Sequence, residues 1–317
     1  MKKLTLAISA IAAAFGAASA QADVSVSGSG SAAYLNDAAS ATKLNVGQFV
    51  SFSLSTTTSS GMTISGGMGL SNTITTDASQ GVSGGQSLSF STGGATIVVG
   101  DVEAGDTPGA VGGVVGGQIG DNGGFNSDVE DGFKDDDGLG LSFSTALGGS
   151  TVSFVYVGND DVNTLGELNS STSGADAVTS ASITVPMGAY TITAGVGDSD
   201  TGESASGASV AAALGGGTLT VGYSTQSLIA ASGDDLAVAG DTTVVGATYS
   251  MAMDADTTVK VGLQNKKDAD SDSTSQFDAS ISRALGGGAS VFLDIRSLTG
   301  DATVKGSAVA VGTSVSF

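Results

Sequence analysis

Residues 309–317 read VAVGTSVSF, with Val309, Val311, Val315 and the terminal Phe317 all at odd positions. Alternation of this kind marks a strand with one oily and one wet face. Here it runs to the last residue and stops on an aromatic, where a free strand end would fray. A last strand that pairs with the first has no free edge, because the sheet it belongs to is closed.

The remainder of the chain supplies strands for such a sheet. After residue 22 the helical period is missing and a period of two recurs. Leu141, Phe143, Thr145 and Leu147 alternate with Ser142, Ser144 and Ala146; Tyr190, Ile192, Ala194 and Val196 alternate with Thr191, Thr193 and Gly195. Turn signals separate pairs of runs: SSGM near 60, TGGA near 93, LGGS near 148, PMGA near 187, LGGGT near 216, MDAD near 254 and LGGGA near 287. Longer acidic stretches lie between them, so tight and long connections alternate.

Seven tight turns join fourteen strands, and a first and last strand that pair with each other make sixteen. The expected strands are 24–35, 44–55, 62–73, 86–92, 95–101, 139–146, 150–158, 177–185, 189–197, 207–214, 218–227, 242–251, 257–264, 276–285, 289–298 and 304–317. The short segments around 86–101 leave counts of 14 and 18 open. A soluble sandwich has no reason to gather its short turns at one end and its long loops at the other, whereas a membrane-spanning barrel does. The expected fold class is therefore all-β, a transmembrane antiparallel β-barrel of 16 strands.

Residues 1–22 stand apart. Lys2 and Lys3 precede the apolar run LTLAISAIAAAF and the small-residue segment GAASAQA, the plan of a cleaved secretory signal peptide. The run is too short for a spanning helix, which needs roughly 20 residues. The expected division is a signal peptide over 1–22 and a barrel over 23–317.

Composition narrows the function. The chain has no Cys, His or Trp, which removes Ser-His-Asp and Cys-His nucleophiles, imidazole proton shuttles and thiolate or imidazole zinc sites. No enzymatic activity and no required cofactor are expected. A net charge of −21 repels nucleic acid, so no nucleic-acid partner is expected, and it attracts cations. Much of the polar strand face is Ser, Thr and Gly, as at Ser51, Ser53, Thr63, Ser65, Thr191, Thr193, Thr218 and Thr220. Small side chains leave a lumen open to water. Tyr34, Phe52, Phe143, Tyr156, Tyr190, Tyr223 and Tyr249 share the apolar face with Phe317 and fit interfacial girdles against outer-membrane lipid.

The longest gap between expected strands is 102–138, VEAGDTPGAVGGVVGGQIGDNGGFNSDVEDGFKDDDG, after the fifth. With the leader, the alternation of turns and loops, this third long loop and the terminal Phe317, the chain resembles the general diffusion porins of Gram-negative bacteria, most closely the alphaproteobacterial type. The resemblance implies a homotrimer of 16-stranded barrels in the outer membrane that passes small hydrophilic solutes and ions. It implies that the third loop folds into the lumen as a constriction, and that Phe317 is read by the barrel assembly machinery. In the loop stand Glu103, Asp106, Asp121, Asp128, Glu130, Asp131, Asp135, Asp136 and Asp137 against Lys134 alone. Carboxylates at the narrowest point favour cations; the competing reading is an ordinary solvated loop.

Members of this family carry basic wall residues opposite the acidic loop. Lys260 and Arg296 fall on the inward parity of their strands, as do Asp278 and Asp294, and Asp294 is the carboxylate expected to pair with Arg296. Arg283 has outward parity near a turn, where it can snorkel to the interface. On the first strand Gly28, Gly30 and Ala32 share the parity of Val24, Val26 and Tyr34, and such small outward residues suit a trimer interface. Asp135, Asp136 and Asp137 offer oxygen ligands for Ca2+, without EF-hand spacing. Two other classes compete: a secreted or surface-attached glycine-rich β structural or adhesion protein, which should show a single repeating unit, and a barrel enzyme, which the missing His disfavours.

Overall fold

A computed structural model describes residues 23–37, 40–74, 79–83, 87–103, 137–158, 177–200, 202–228, 240–267, 273–300 and 306–317. The expected signal peptide, 1–22, lies outside them. The described chain is strand joined by short turns: β1 (Asp23–Asp37), β2 (Ser40–Thr57), β3 (Thr63–Ile74), β4 (Ser79–Ser83), β5 (Ser87–Thr92), β6 (Ala95–Glu103), β7 (Asp137–Leu147), β8 (Ser150–Val157), β9 (Val178–Met187), β10 (Tyr190–Ser199), β11 (Ser204–Leu214), β12 (Gly217–Leu228), β13 (Gly240–Ala252), β14 (Thr257–Lys267), β15 (Ser273–Gly286), β16 (Ala289–Gly300) and β17 (Gly306–Ser316).

Seventeen strands make sixteen staves. β4 and β5 both pair with β3, Gly69 opposite Ser83 and Gly66 opposite Leu88. Three steps along β3 thus correspond to five along its neighbour, an offset of two that leaves β4 and β5 in the same side-chain parity. All sixteen expected strands are present; the β4 portion of the fourth stave is an addition, its SQGVS sequence carrying a single large apolar residue.

Each stave pairs antiparallel with the next, and β17 pairs with β1 from Asp37↔Ala308 to Ser29↔Ser316. The seam continues past the strand: Gly28 N–H donates to Phe317 O at 3.1 Å and Phe317 N–H to Gly28 O at 3.0 Å. The barrel is closed, and the alternation of 309–317 has its partner.

All seven tight turns lie at one end. Gly93–Gly94, Gly148–Gly149 and Gly215–Gly216 carry φ of 56/86°, 60/89° and 56/87°, the two-residue hairpin geometry in which both central residues are left-handed. The other end departs from expectation. Its connections include the long 104–136 and 158–177, but 38–39 and 200–203 are as short as turns. The acidity of those stretches made them look uniformly long, because charged residues at strand ends read as loop.

The outer face is apolar: Val24, Val26, Leu54, Leu88, Leu147, Val196, Leu263, Ile281, Leu293 and Val311 are exposed on it. Such a continuous apolar belt belongs against hydrocarbon rather than water. Of the expected girdle aromatics, Tyr34, Tyr156, Tyr190, Tyr223 and Phe317 are exposed, while Phe52, Phe143 and Tyr249 are half-buried.

Candidate functional site: the barrel lumen

The inner wall begins as a hydroxyl surface. Alternation in β1 and β2 places Ser25 and Ser27 opposite Ser53 and Ser51, with Oγ–Oγ distances of 2.6 and 2.7 Å. Ser91 and Thr96 (3.0 Å), Thr184 and Thr193 (3.2 Å) and Ser290 and Ser314 (2.7 Å) repeat the arrangement. Cross-strand hydroxyl pairs satisfy one another and still leave lone pairs for water.

Charge on the described wall is concentrated on β14–β16. Arg296 and Asp278 are directly opposite across β15 and β16, and Arg296 Nε donates to Asp278 Oδ1 at 3.0 Å. Gln276 Nε2 donates to the other oxygen, Asp278 Oδ2, at 2.8 Å. Arg296 thus pairs with Asp278, not with Asp294 as expected. Asp294 is two residues away on the same strand, about 7 Å along the backbone, whereas the register partner sits within side-chain reach. Lys260 is exposed on the same inward face of β14.

Parity alone missed two apolar patches of the inner wall. Leu35, Leu298, Ala308 and Ala310 form one buried cluster with Phe292 packed against it; Val102, Val157, Val178 and Ala205 form the other, with Val98 and Val155. Val157 is 0% and Val178 1% exposed, although an open, water-filled lumen would expose them. The signal for both patches was present, since each interrupts the polar parity of its strand with an apolar residue.

Of the acidic residues expected to form a constriction, Asp106, Asp121, Asp128, Glu130, Asp131, Asp135 and Asp136 lie outside the described residues. Glu103 and Asp137 close β6 and open β7 as direct register partners, so the long segment leaves and re-enters the wall between two carboxylate-bearing residues. Among the described residues no group of three or more acidic side chains is arranged to hold a metal ion.

Acidic residues are distributed unequally along the sequence. Of the 31 acidic residues, all but Asp23, Asp254, Asp256, Asp278 and Asp294 belong to the connections opposite the tight turns or to the strand ends that enter them. Gly30 and Ala32 sit on the outward parity of β1; Gly28, on that same parity, is buried, and a Cβ built on it would overlap the Phe317 ring. Its small size is what seats the terminal aromatic.

A closed sixteen-stave barrel with an apolar outside and a hydroxyl-lined inside is the architecture of a passive outer-membrane channel. A family model described as Gram-negative porin matches residues 7–303, and the chain belongs to that family. Solved structures agree at the level of the fold. An anion-selective porin from Comamonas acidovorans superposes with a TM-score of 0.64 at 12% identity, covering 94% of this chain and 100% of that one. OmpT of Vibrio cholerae in its trimer form gives 0.69 at 9%, covering 93% and 99%. Salmonella typhi OmpF in complex with daunomycin gives 0.67 at 11%, covering 93% and 97%. A search of curated protein sequences gave no match. Family and fold are those of non-enzymatic channel proteins, and the closed barrel sets aside the glycine-rich structural repeat protein.

Proposed function

We propose that the mature chain, beginning at Asp23, is a homotrimeric diffusion porin that passes small hydrophilic solutes and ions with a preference for cations. The observation that carries this reading is the hydroxyl-lined inner wall of a closed barrel; most of the acidic residues fall, in sequence, in the connections opposite the tight turns, and in this reading they gather at one mouth. Such a mouth raises local cation concentration and repels anions. The shared fold does not fix the sign of selectivity, since one structural neighbour is described as anion-selective.

In this reading the segment 104–136, shorter than the expected 102–138 because Val102, Glu103, Asp137 and Gly138 pair within β6 and β7, folds into the lumen and sets the constriction. Support comes from the burial of inward-facing Val102, Val157 and Val178 beside its base. Trimerisation through the outer face of β1 around Gly30 and Ala32 is supported by the trimer form described for the Vibrio cholerae neighbour. Recognition of Phe317 by the barrel assembly machinery, and insertion among outer-membrane lipids, complete the reading. No cofactor is required; Ca2+ on Asp135, Asp136 and Asp137 would add to it and would show as heat stability that a chelator reverses.

The test is planar-bilayer recording of the refolded mature protein under a salt gradient. Triplet openings with a cation-selective reversal potential are expected, weakened when Asp135, Asp136 and Asp137 are all changed to Asn. A reversal potential of the anion-selective sign contradicts the reading.

A further inference from the structure

Arg283 sits within the apolar outer belt, not beyond its edge. On β15 it lies between Ile281 and Leu285 on one face, and its register partner on β16 is Val291; all three are exposed apolar residues. Leu285, 58% exposed, stands closer to the tight-turn rim than Arg283 does. A cation in such a place ordinarily extends along the wall into water. This one is held at its own level: Nη1 donates to the hydroxyl of Thr257, its register partner on β14, at 3.2 Å, and lies 3.6 Å from Asp254 Oδ2. Among the described residues its Nε and Nη2 bond to nothing, and the side chain is 56% exposed.

Two carboxylates accompany it in the turn between β13 and β14. Asp254 is engaged, its oxygens accepting the N–H groups of Asp256 and Thr257 and the Thr257 hydroxyl. Asp256 is exposed, and its carboxylate makes no hydrogen bond or ion pair among the described residues. The Asp256 carbonyl accepts the Ala284 N–H at 2.8 Å, which sets this second acid beside the residue that follows Arg283. The rim thus presents unused guanidinium donors, an unused carboxylate next to them, and an apolar track leading away along Ile281 and Leu293, themselves register partners.

We propose that this rim site takes the headgroup of a zwitterionic phospholipid in the leaflet at the tight-turn end, its phosphate on Arg283, its primary ammonium on Asp256 and an acyl chain along Ile281 and Leu293. A guanidinium fork matches phosphate oxygens, and an ammonium beside that phosphate matches the neighbouring acid. A headgroup with phosphate but no ammonium meets Arg283 equally well and leaves Asp254 and Asp256 facing a net negative lipid, so it is the poorer occupant. This inference rests on the outer-membrane channel proposed above, whose short turns lie against the inner of the two leaflets.

The experiment is native mass spectrometry of the delipidated mature barrel in detergent, titrated with phosphatidylethanolamine, phosphatidylglycerol or soluble phosphoethanolamine, with folding of each variant checked by heat-modifiable gel migration. Wild type should bind phosphatidylethanolamine about fivefold more tightly than phosphatidylglycerol, the size of one exposed charge pair. Arg283→Gln should weaken both lipids about tenfold, through loss of the charge-assisted bonds to phosphate. Asp256→Asn changes a side chain that holds nothing in the fold; it should abolish the preference while leaving phosphatidylglycerol bound at least as well as before. Soluble phosphoethanolamine, which has no chains to lie on the belt, should bind far more weakly than the lipid. Equal affinities for the two lipids in wild type would overturn the proposal, as would binding that Arg283→Gln leaves unchanged, a preference that survives Asp256→Asn, or soluble phosphoethanolamine that binds as tightly as the lipid. Bilayer recording of the same preparations tests the channel reading separately. A conducting wild type without the lipid preference contradicts this inference alone, and a folded barrel that keeps the preference without conducting contradicts the channel.

Discussion

Asp254 shows how one side chain holds a barrel turn. Its Oδ1 accepts the N–H groups of Asp256 at 2.9 Å and Thr257 at 2.8 Å, and its Oδ2 accepts the Thr257 hydroxyl at 3.1 Å, with Arg283 Nη1 at 3.6 Å. The Asp256 amide first, then the Thr257 hydroxyl, hold this carboxyl below its ordinary pKa. A depressed carboxylate pKa contributes stability that is present above the unfolded-state pKa and lost as pH falls through the folded-state value. Asp254→Asn should therefore lower the heat-unfolding midpoint of the refolded barrel at neutral pH, with the deficit shrinking in acid. A deficit independent of pH would show that the charge plays no part. Parity gave the outward face of Arg283 from sequence, and inward faces for Lys260 and Arg296. Partners were harder to read: Asp254 and Arg283 meet only once β14 and β15 are aligned, and Arg296 with Asp278 depends on the β15–β16 register. Composition constrains such registers weakly where Ser, Thr and Gly fill the polar face.

At the scale of the element, the tight turns are the most legible part of the sequence, because two consecutive left-handed positions nearly demand glycine. Gly149 (φ 89°) and Gly288 (φ 79°) share this backbone state but differ in surroundings. A Cβ on Gly149 meets nothing within 4 Å, whereas one on Gly288 would overlap the carbonyl oxygen of Ser316. Gly149→Ala should cost about 1–2 kcal/mol, the usual left-handed penalty. Gly288→Ala should cost more, since Gly288 O also accepts the Ser316 N–H at 2.9 Å and the turn cannot move away without loosening the last strand. Denaturant midpoints of the two variants make the comparison, and equal losses would mean that the turn yields freely. β4 was not legible, for the same reason that it is short: SQGVS has too few apolar residues to show a period.

At the scale of the molecule, the alternation that ends in Phe317 is explained by closure against β1, and most of the acidic residues fall in sequence between strands on the side opposite the tight turns. The inner apolar patches stayed hidden because a period-of-two reading assigns polarity to a whole face. Leu35 beside Tyr34, or Val157 beside Tyr156, then looks like strand-end noise. The central claim is that this closed, hydroxyl-lined barrel holds a continuous water path across the membrane. Liposome swelling measures that path most directly, using purified mature protein and uncharged sugars of increasing size. The account predicts swelling that is fast for the smallest sugars and slows steeply with solute size, without saturation. Folded, inserted barrels that give no swelling with the smallest sugar would contradict it.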